Sequence, residues 1–187
     1  MSMEPDKALI RGCQEGDLTA FDRLYTRYSS AMYGLCLRYA RDPEEAQDLL
    51  QEGFIKVYEK IKQFSGEGSF EGWMRRLFVN LALDQYKSKK REMERMQTYA
   101  EEGGADTDDP SPWPDVTEKE LIDLIQQLPE GYRMVFNLFA VEGFSHRDIA
   151  QQLGISENTS KTQFFKARKQ LRRMLDAHLR RKELKSI

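Results

Sequence analysis

The sequence predicts an all-α protein, with two small helical domains joined by a flexible acidic linker and a helix-turn-helix in the C-terminal domain. Three observations predict it. Apolar residues recur at threes and fours along most of the chain, and no stretch alternates with the two-residue period of a strand. An acidic segment with paired glycines and three closely spaced prolines breaks that periodicity between 96 and 116. Beyond it, Ser145, Ala150, Gly154 and Ser156 fall where two helices joined by a sharp turn require a cap, a small contact residue, a left-handed backbone and a second cap.

The stretch FSHRDIAQQLGISENTSKTQFFKARKQLRRML carries the strongest local signal. Ser145 caps a first helix with Ile149 and Leu153 on one face, Gly154 ends it, and Ser156 caps a second helix starting at Glu157. At about 100° per residue, Ser160, Phe164, Ala167, Leu171 and Met174 or Leu175 face inward. Asn158, Lys161, Thr162, Phe165, Lys166, Lys169, Arg172 and Arg173 face outward. Amides, hydroxyls and long cations on an exposed helix suit base edges in a major groove and the flanking phosphates. A solvated surface helix would share this periodicity, and the turn residues ahead of it favour recognition.

With 187 residues, 40% of them hydrophobic, the chain can bury one core or two small ones. No apolar run reaches the ~20 residues of a membrane span and no signal segment opens the chain, so a cytoplasmic protein without membrane insertion is expected. Cys13 and Cys36 stand far apart on helical apolar positions and predict buried, reduced thiols. The net charge of −2 hides segregation. Arg75, Arg76, Lys87, Lys89, Lys90, Arg91 and Arg95 form one basic stretch, and the chain from Lys161 onward another. Between them Glu101, Glu102, Asp106, Asp108, Asp109, Asp115, Glu118 and Glu120 are answered only by Lys119.

In chain order, a short helix with Leu9, Ile10 and Cys13 ends at Gly16. Asp17 caps a longer one whose stripe of Phe21, Leu24, Tyr25, Tyr28, Met32, Leu35, Cys36 and Tyr39 is expected to be buried. Asp42, Pro43 and Glu45 mark the next helix start. That helix turns Ala46, Leu49, Leu50, Gly53, Phe54, Val57, Tyr58 and Ile61 inward, leaving Asp48, Gln51, Glu52, Ile55 and Glu59 on a separate stripe. This stripe reads as ordinary surface or as a docking face for a basic partner. Residues 63–69 form a glycine-containing loop, and Ser69 caps a helix from 70 to about 94 that buries Met74, Leu77, Phe78 and Leu81. Along its other side run Trp73, Arg76, Asn80, Asp84, Lys87 and Arg91, a stacking surface with cations that suits single-stranded nucleic acid unless Trp73 is half-buried core. After the linker, Thr117 caps a helix ending before Pro129, and a further apolar helix through Phe136 and Phe139 closes at Gly143.

The runs DLLQEGFIKVYEKIKQF, SFEGWMRRLFVNLALDQYKSKKR and LIQQLPEGYRMVFNLFAVEGFSHRDIAQQLGISENTSKTQFFKARKQLRRML, in this order and with this linker, resemble a bacterial extracytoplasmic-function sigma factor over nearly the whole chain. The resemblance implies a transcription initiation factor that brings core RNA polymerase to promoters. It implies a domain at 1–95 that binds the polymerase clamp and melts the minus-ten element, a linker at 96–116, and a domain at 117–187 that reads the minus-thirty-five element. Asp48, Gln51, Glu52 and Ile55 would bind polymerase. Ser65, Phe70, Trp73, Arg76, Asn80, Asp84, Lys87 and Arg91 would hold minus-ten DNA. Ser156, Glu157, Asn158, Thr159, Lys161, Thr162, Phe165, Lys166, Arg168 and Lys169 would hold minus-thirty-five DNA.

Implied partners are core RNA polymerase through its clamp and flap, promoter DNA and an anti-sigma factor, with no metal and no cofactor. Asn158, Ser160 and Gln163 depart from the glycine, valine and arginine frequent in the family; inward-facing Ser160 affects packing slightly, while Asn158 and Gln163 bear on base choice or phosphate contact and leave the promoter sequence open. A stand-alone helix-turn-helix regulator is the alternative, but it would not need the 48–59 face. An enzyme is not expected, because His146 and His178 are the only histidines, neither has metal-ligand spacing, and His146 is expected to face solvent.

Overall fold

Side-chain caps open the helices where the sequence places them, in a computed structural model that describes residues 4–96 and 116–185, with side chains for 7–92 and 116–182. Among the described residues every regular element is helical. Two compact units, Met1–Gln85 and Tyr86–Ile187, divide the chain, the division falling within the fourth helix. Apart from Met96 and Val116, the expected linker lies outside the described residues.

In the first unit, α1 (Glu4–Glu15) turns at Gly16, whose φ of 90° needs a glycine, into α2 (Leu18–Tyr39). Asp17 accepts from the Thr19 amide at 2.8 Å. α1 and α2 approach closely at Gly12, where a Cβ would sit 2.9 Å from that of Ala20. α3 (Pro43–Lys60) begins as expected: Asp42 accepts from the Glu45 amide at 2.9 Å and the Glu45 carboxylate accepts from the Arg41 amide. It ends in a 3₁₀ turn, Ile61–Gln63, ahead of the loop that leads into α4 (Phe70–Met96).

Leu24, Met32, Leu35, Leu49, Val57, Ile61, Met74 and Phe78 form the core of this unit, each burial contributing about 1.5–3 kcal/mol. α3 meets α4 at Gly53, where any Cβ would fall 2.1 Å from the Phe78 ring. Cys13 and Cys36 are free and buried, and burial raises the Cys36 thiol to about 12, which keeps it protonated and unreactive. Two expectations need correction. Tyr25 and Tyr58, placed on buried stripes, are 39% and 47% exposed. Their rings lie across the outer edge of the helix pair, Tyr25 against Phe54 and Tyr58 edge-on to Phe21. Each stripe is wider than the neighbouring helix can cover.

The second unit contains α5 (Glu118–Gln126), α6 (Glu130–Phe136), α7 (His146–Leu153) and α8 (Glu157–Lys185). Leu124, Ile125, Leu128, Phe136, Ala167, Leu171 and Leu175 form its core. A full capping box joins Thr117 and Glu120 at the start of α5. At its other end the buried Arg133 donates through Nη1 to the carbonyls of Gln126 (3.0 Å) and Leu128 (3.2 Å), placing a cation at the negative end of the helix. Where the sequence predicts one plain helix through Phe139, α6 passes into a π-helical turn, Asn137–Val141. Gly143, at φ 76°, closes it, and the Phe144 amide reaches the Leu138 carbonyl at 2.9 Å. That wider turn sets the Phe139 ring under α7.

Candidate nucleic-acid interfaces

The helix-turn-helix is built as its residues predict. Ser145 accepts from the Asp148 amide at 3.1 Å and donates to its carboxylate at 2.6 Å. Gly154 takes the left-handed backbone at φ 64°, and the Ile155 amide bonds back to the Ala150 carbonyl at 3.1 Å. Ser156 accepts from the Thr159 amide at 2.9 Å, and the two hydroxyls meet at 2.8 Å, which opens α8. Ile149 and Leu153 of α7 are buried, and so are Ala167, Leu171 and Leu175 of α8, the last three within the core shared with α5 and α6.

On α8, Ser156, Glu157, Asn158, Lys161 and Lys169 are exposed, while Thr159, Thr162, Phe165, Lys166 and Arg168 are partly exposed. Lys161 pairs with Glu157 at 2.7 Å, and that hydrogen bond holds the Glu157 carboxyl below its ordinary range. Lys169 stands over the Phe165 ring, 5.9 Å from its centroid. Arg168 instead lies over Phe164, on the flank of the face. Gln163 carries a buried side-chain oxygen and lies beside Gly131, away from the exposed face.

His146 is only partly exposed where the sequence predicts a solvent-facing ring. Its ring stacks on Phe139 at 4.1 Å and 11°, meets the Phe164 edge at 5.7 Å, and brings Nδ1 within 3.0 Å of the Ser160 hydroxyl. Ser160, 0% exposed, therefore has a polar partner inside the motif that helical periodicity could not reveal. Desolvation lowers the imidazole's proton affinity, Lys161 lowers it further, and Glu157 opposes both. His178 bonds to Glu120 at 3.0 Å, and Lys182 reaches the same carboxylate. These bonds, with those from Thr117, hold Glu120 well below the usual carboxylate range.

In the first unit, Asp48 and Gln51 are exposed on α3, and Ile55 is 57% exposed beside them. Glu52 is only partly exposed, since its carboxylate accepts from the Gln85 amide at 2.8 Å and ties α3 to α4. In the 64–70 loop, Gly66 (φ 83°) and Gly68 (φ 77°) take left-handed backbone. Ser65 is exposed and accepts from the Glu67 amide at 3.3 Å.

Phe64, Phe70 and Trp73 pack together with centroids 5.2–5.5 Å apart, and Tyr28 abuts Phe70. Phe70 is 6% exposed, its ring packed among Phe64, Trp73 and Tyr28. Trp73 is half-buried, while Arg76, Asn80, Asp84 and Arg91 are exposed along α4 and Lys87 partly so. Beside the loop lies a recess of about 620 Å³, walled by Lys7, Ile10 and Gln14 of α1, Tyr28 of α2 and loop residues including Ser65 and Ser69. No helix among the described residues is long and apolar enough to cross a membrane.

A helix-turn-helix with a cationic outer face, paired with a second helical unit that bears an aromatic-backed loop, defines a two-module DNA-binding protein. The family model for sigma-70 region 2 matches residues 24–92, and that for sigma-70 region 4 matches 118–171. The RNA polymerase sigma-H factor of Pseudomonas aeruginosa is 33% identical over 96% of this chain and 98% of its own length. The extracytoplasmic-function sigma factor SigW of Bacillus subtilis is 31% identical over 90% and 96%. A solved complex of the sigma factor RpoE with the anti-sigma factor NepR from Bartonella quintana is similar at 20% identity and a TM-score of 0.49, over 83% of this chain and 96% of that one.

The chain belongs to the extracytoplasmic-function group of bacterial RNA polymerase sigma factors. It is a transcription initiation factor, with core RNA polymerase and promoter DNA as partners. Membership sets aside the stand-alone regulator.

Proposed function

We propose that the two units divide promoter recognition between them. The exposed face of α3, with Asp48, Gln51 and Ile55 foremost and Glu52 at its edge, docks on the polymerase clamp. The 64–70 loop and the α4 line of Trp73, Arg76, Asn80, Asp84, Lys87 and Arg91 hold the minus-ten strand once it is unstacked. Extracting a base from a duplex costs a few kcal/mol, so a ready-made recess beside the strand lowers the barrier to opening. α8 enters the major groove at the minus-thirty-five element. Asn158 and Thr162 lie near bases there, and Lys161, Lys166 and Lys169 lie near phosphates.

Domain limits of 1–95 and 117–187 and a tethering linker at 96–116 complete this reading. Two weak contacts on one polymerase then reinforce each other through effective concentration. The work is non-covalent, needs no cofactor and takes place in the cytoplasm. An anti-sigma factor is the proposed inhibitor, on family membership alone.

The observation that carries this reading is the split of α8: Ser160, Ala167, Leu171 and Leu175 are wholly buried while Asn158, Lys161 and Lys169 stand exposed. The test is holoenzyme selection from a promoter library randomised at the minus-thirty-five element. Asn158→Ala should relax base preference at one or two positions while leaving affinity for core polymerase intact. Identical selected sequences for both proteins would remove Asn158 from base reading.

A further inference from the structure

Gln14 lies ahead of the segment matched as region 2, on a helix to which the proposed function gives no part. Its amide nitrogen donates twice across the fold, to the carbonyls of Ile61 and Phe64, both at 3.0 Å and 47 and 50 residues away in sequence. A glutamine amide has two N–H donors, and these contacts use both. The two carbonyls lie at the start and just past the end of the 3₁₀ turn Ile61–Gln63, which is the point where α3 gives way to the loop. Phe64 is thereby held from both sides. Its carbonyl is fixed by α1 and its ring by Phe70 and Trp73. Past this point the loop runs through two glycines with positive φ, so its own backbone contributes little rigidity. Gln14 also walls the recess, together with Lys7 and Ile10 of the same helix.

We infer that Gln14 is a positioning residue for promoter opening: it sets the direction in which the 64–70 loop leaves α3 and keeps the recess open before DNA arrives. The inference rests on the loop being the strand-capturing element. Gln14 is half-buried, so water can replace its bonds to the two carbonyls when they are removed. The unit then still folds, and what is lost is the loop's fixed exit. In Gln14→Met the length and stem are kept and both donors are lost. In Gln14→Glu an acceptor is aimed at two carbonyls.

The test uses full-length variants in holoenzyme, on a promoter active in run-off transcription with 2-aminopurine in its minus-ten non-template strand. Both variants should slow opening by about tenfold, the effect of two lost hydrogen bonds, with affinity for core polymerase unchanged. In a Trp113→Phe background, Trp73 emission reports the Phe64 contact without any DNA. It should shift in Gln14→Met and stay as it is in a variant of the exposed Lys62.

Unchanged opening and unchanged Trp73 emission would overturn the inference. So would an equal loss of opening and core affinity, which would make Gln14 part of the general scaffold. Asn80→Ala separates the two levels. If it slows opening while the Gln14 variants do not, only the Gln14 inference fails. If neither slows opening, the reading of the loop fails with it.

Discussion

The Nδ1 of His146 lies 3.0 Å from the hydroxyl of Ser160, and this contact joins the two helices of the helix-turn-helix, α7 and α8. Ser160 occupies a wholly buried position where the family often has valine, and the imidazole provides the polar partner that makes serine tolerable there. Ser160→Val alone should destabilise by about 1 kcal/mol by stranding the imidazole nitrogen. Combined with His146→Phe, the loss should be smaller than the sum of the two single changes. A double-mutant cycle on thermal unfolding measures this, and strict additivity would mean that the contact carries no coupling.

His146 also makes stability depend on pH. Its proton affinity in the folded protein lies below the ordinary value of 6.5, so the unfolded chain is protonated first as pH falls. The contribution is therefore complete above 6.5 and declines between there and the lower folded value. Between about pH 7 and 5, the unfolding midpoint should fall more steeply for the wild type than for His146→Phe. Parallel curves would show that the ring titrates as it does in water.

Glu120 acts in a lower pH range. Lys182, the Thr117 amide and His178 depress its carboxyl in the folded state, so its contribution is present above the ordinary value of 4.5 and is lost as pH falls below it. Glu120→Gln should flatten the acid limb of the stability curve and speed amide exchange in the last turns of α8, near His178 and Lys182. Exchange unchanged there would mean that the carboxylate caps α5 alone.

Gly53 tests the packing of α3 on α4. A Cβ 2.1 Å from the Phe78 ring cannot be absorbed without moving a buried aromatic, so Gly53→Ala should destabilise by at least about 1–3 kcal/mol in chemical denaturation. A stable, fully active Gly53→Ala protein would show that the helices can separate locally.

Lys169 is exposed on the outer face of α8 with its ammonium above Phe165. If it neutralises one phosphate, Lys169→Ala should reduce the magnitude of the slope of log affinity against log salt by about one for minus-thirty-five duplex. An unchanged slope would place the lysine off the backbone.

What could be read from the sequence was local. Asp42 with Pro43 and Glu45, and Ser145 with Gly154 and Ser156, announce helix ends through residues a few positions apart, and the fold keeps each one. What could not be read depends on partners distant in the chain. Nothing near Gln14 shows that its amide meets Phe64, and nothing near His146 points to Ser160 fourteen residues on. Tyr25 and Tyr58 followed the apolar period onto surface that no helix of their unit covers, since periodicity names a face without giving the width of its partner. Phe70, placed with the DNA-holding residues, has its ring packed among Phe64, Trp73 and Tyr28.

Run-off transcription with core polymerase, with and without the full-length protein, across a promoter library tests the central claim most directly. Transcripts from a defined subset of promoters, starting at fixed positions and appearing only when the protein is added, are the predicted result. A transcript pattern identical to that of core polymerase alone would contradict the account.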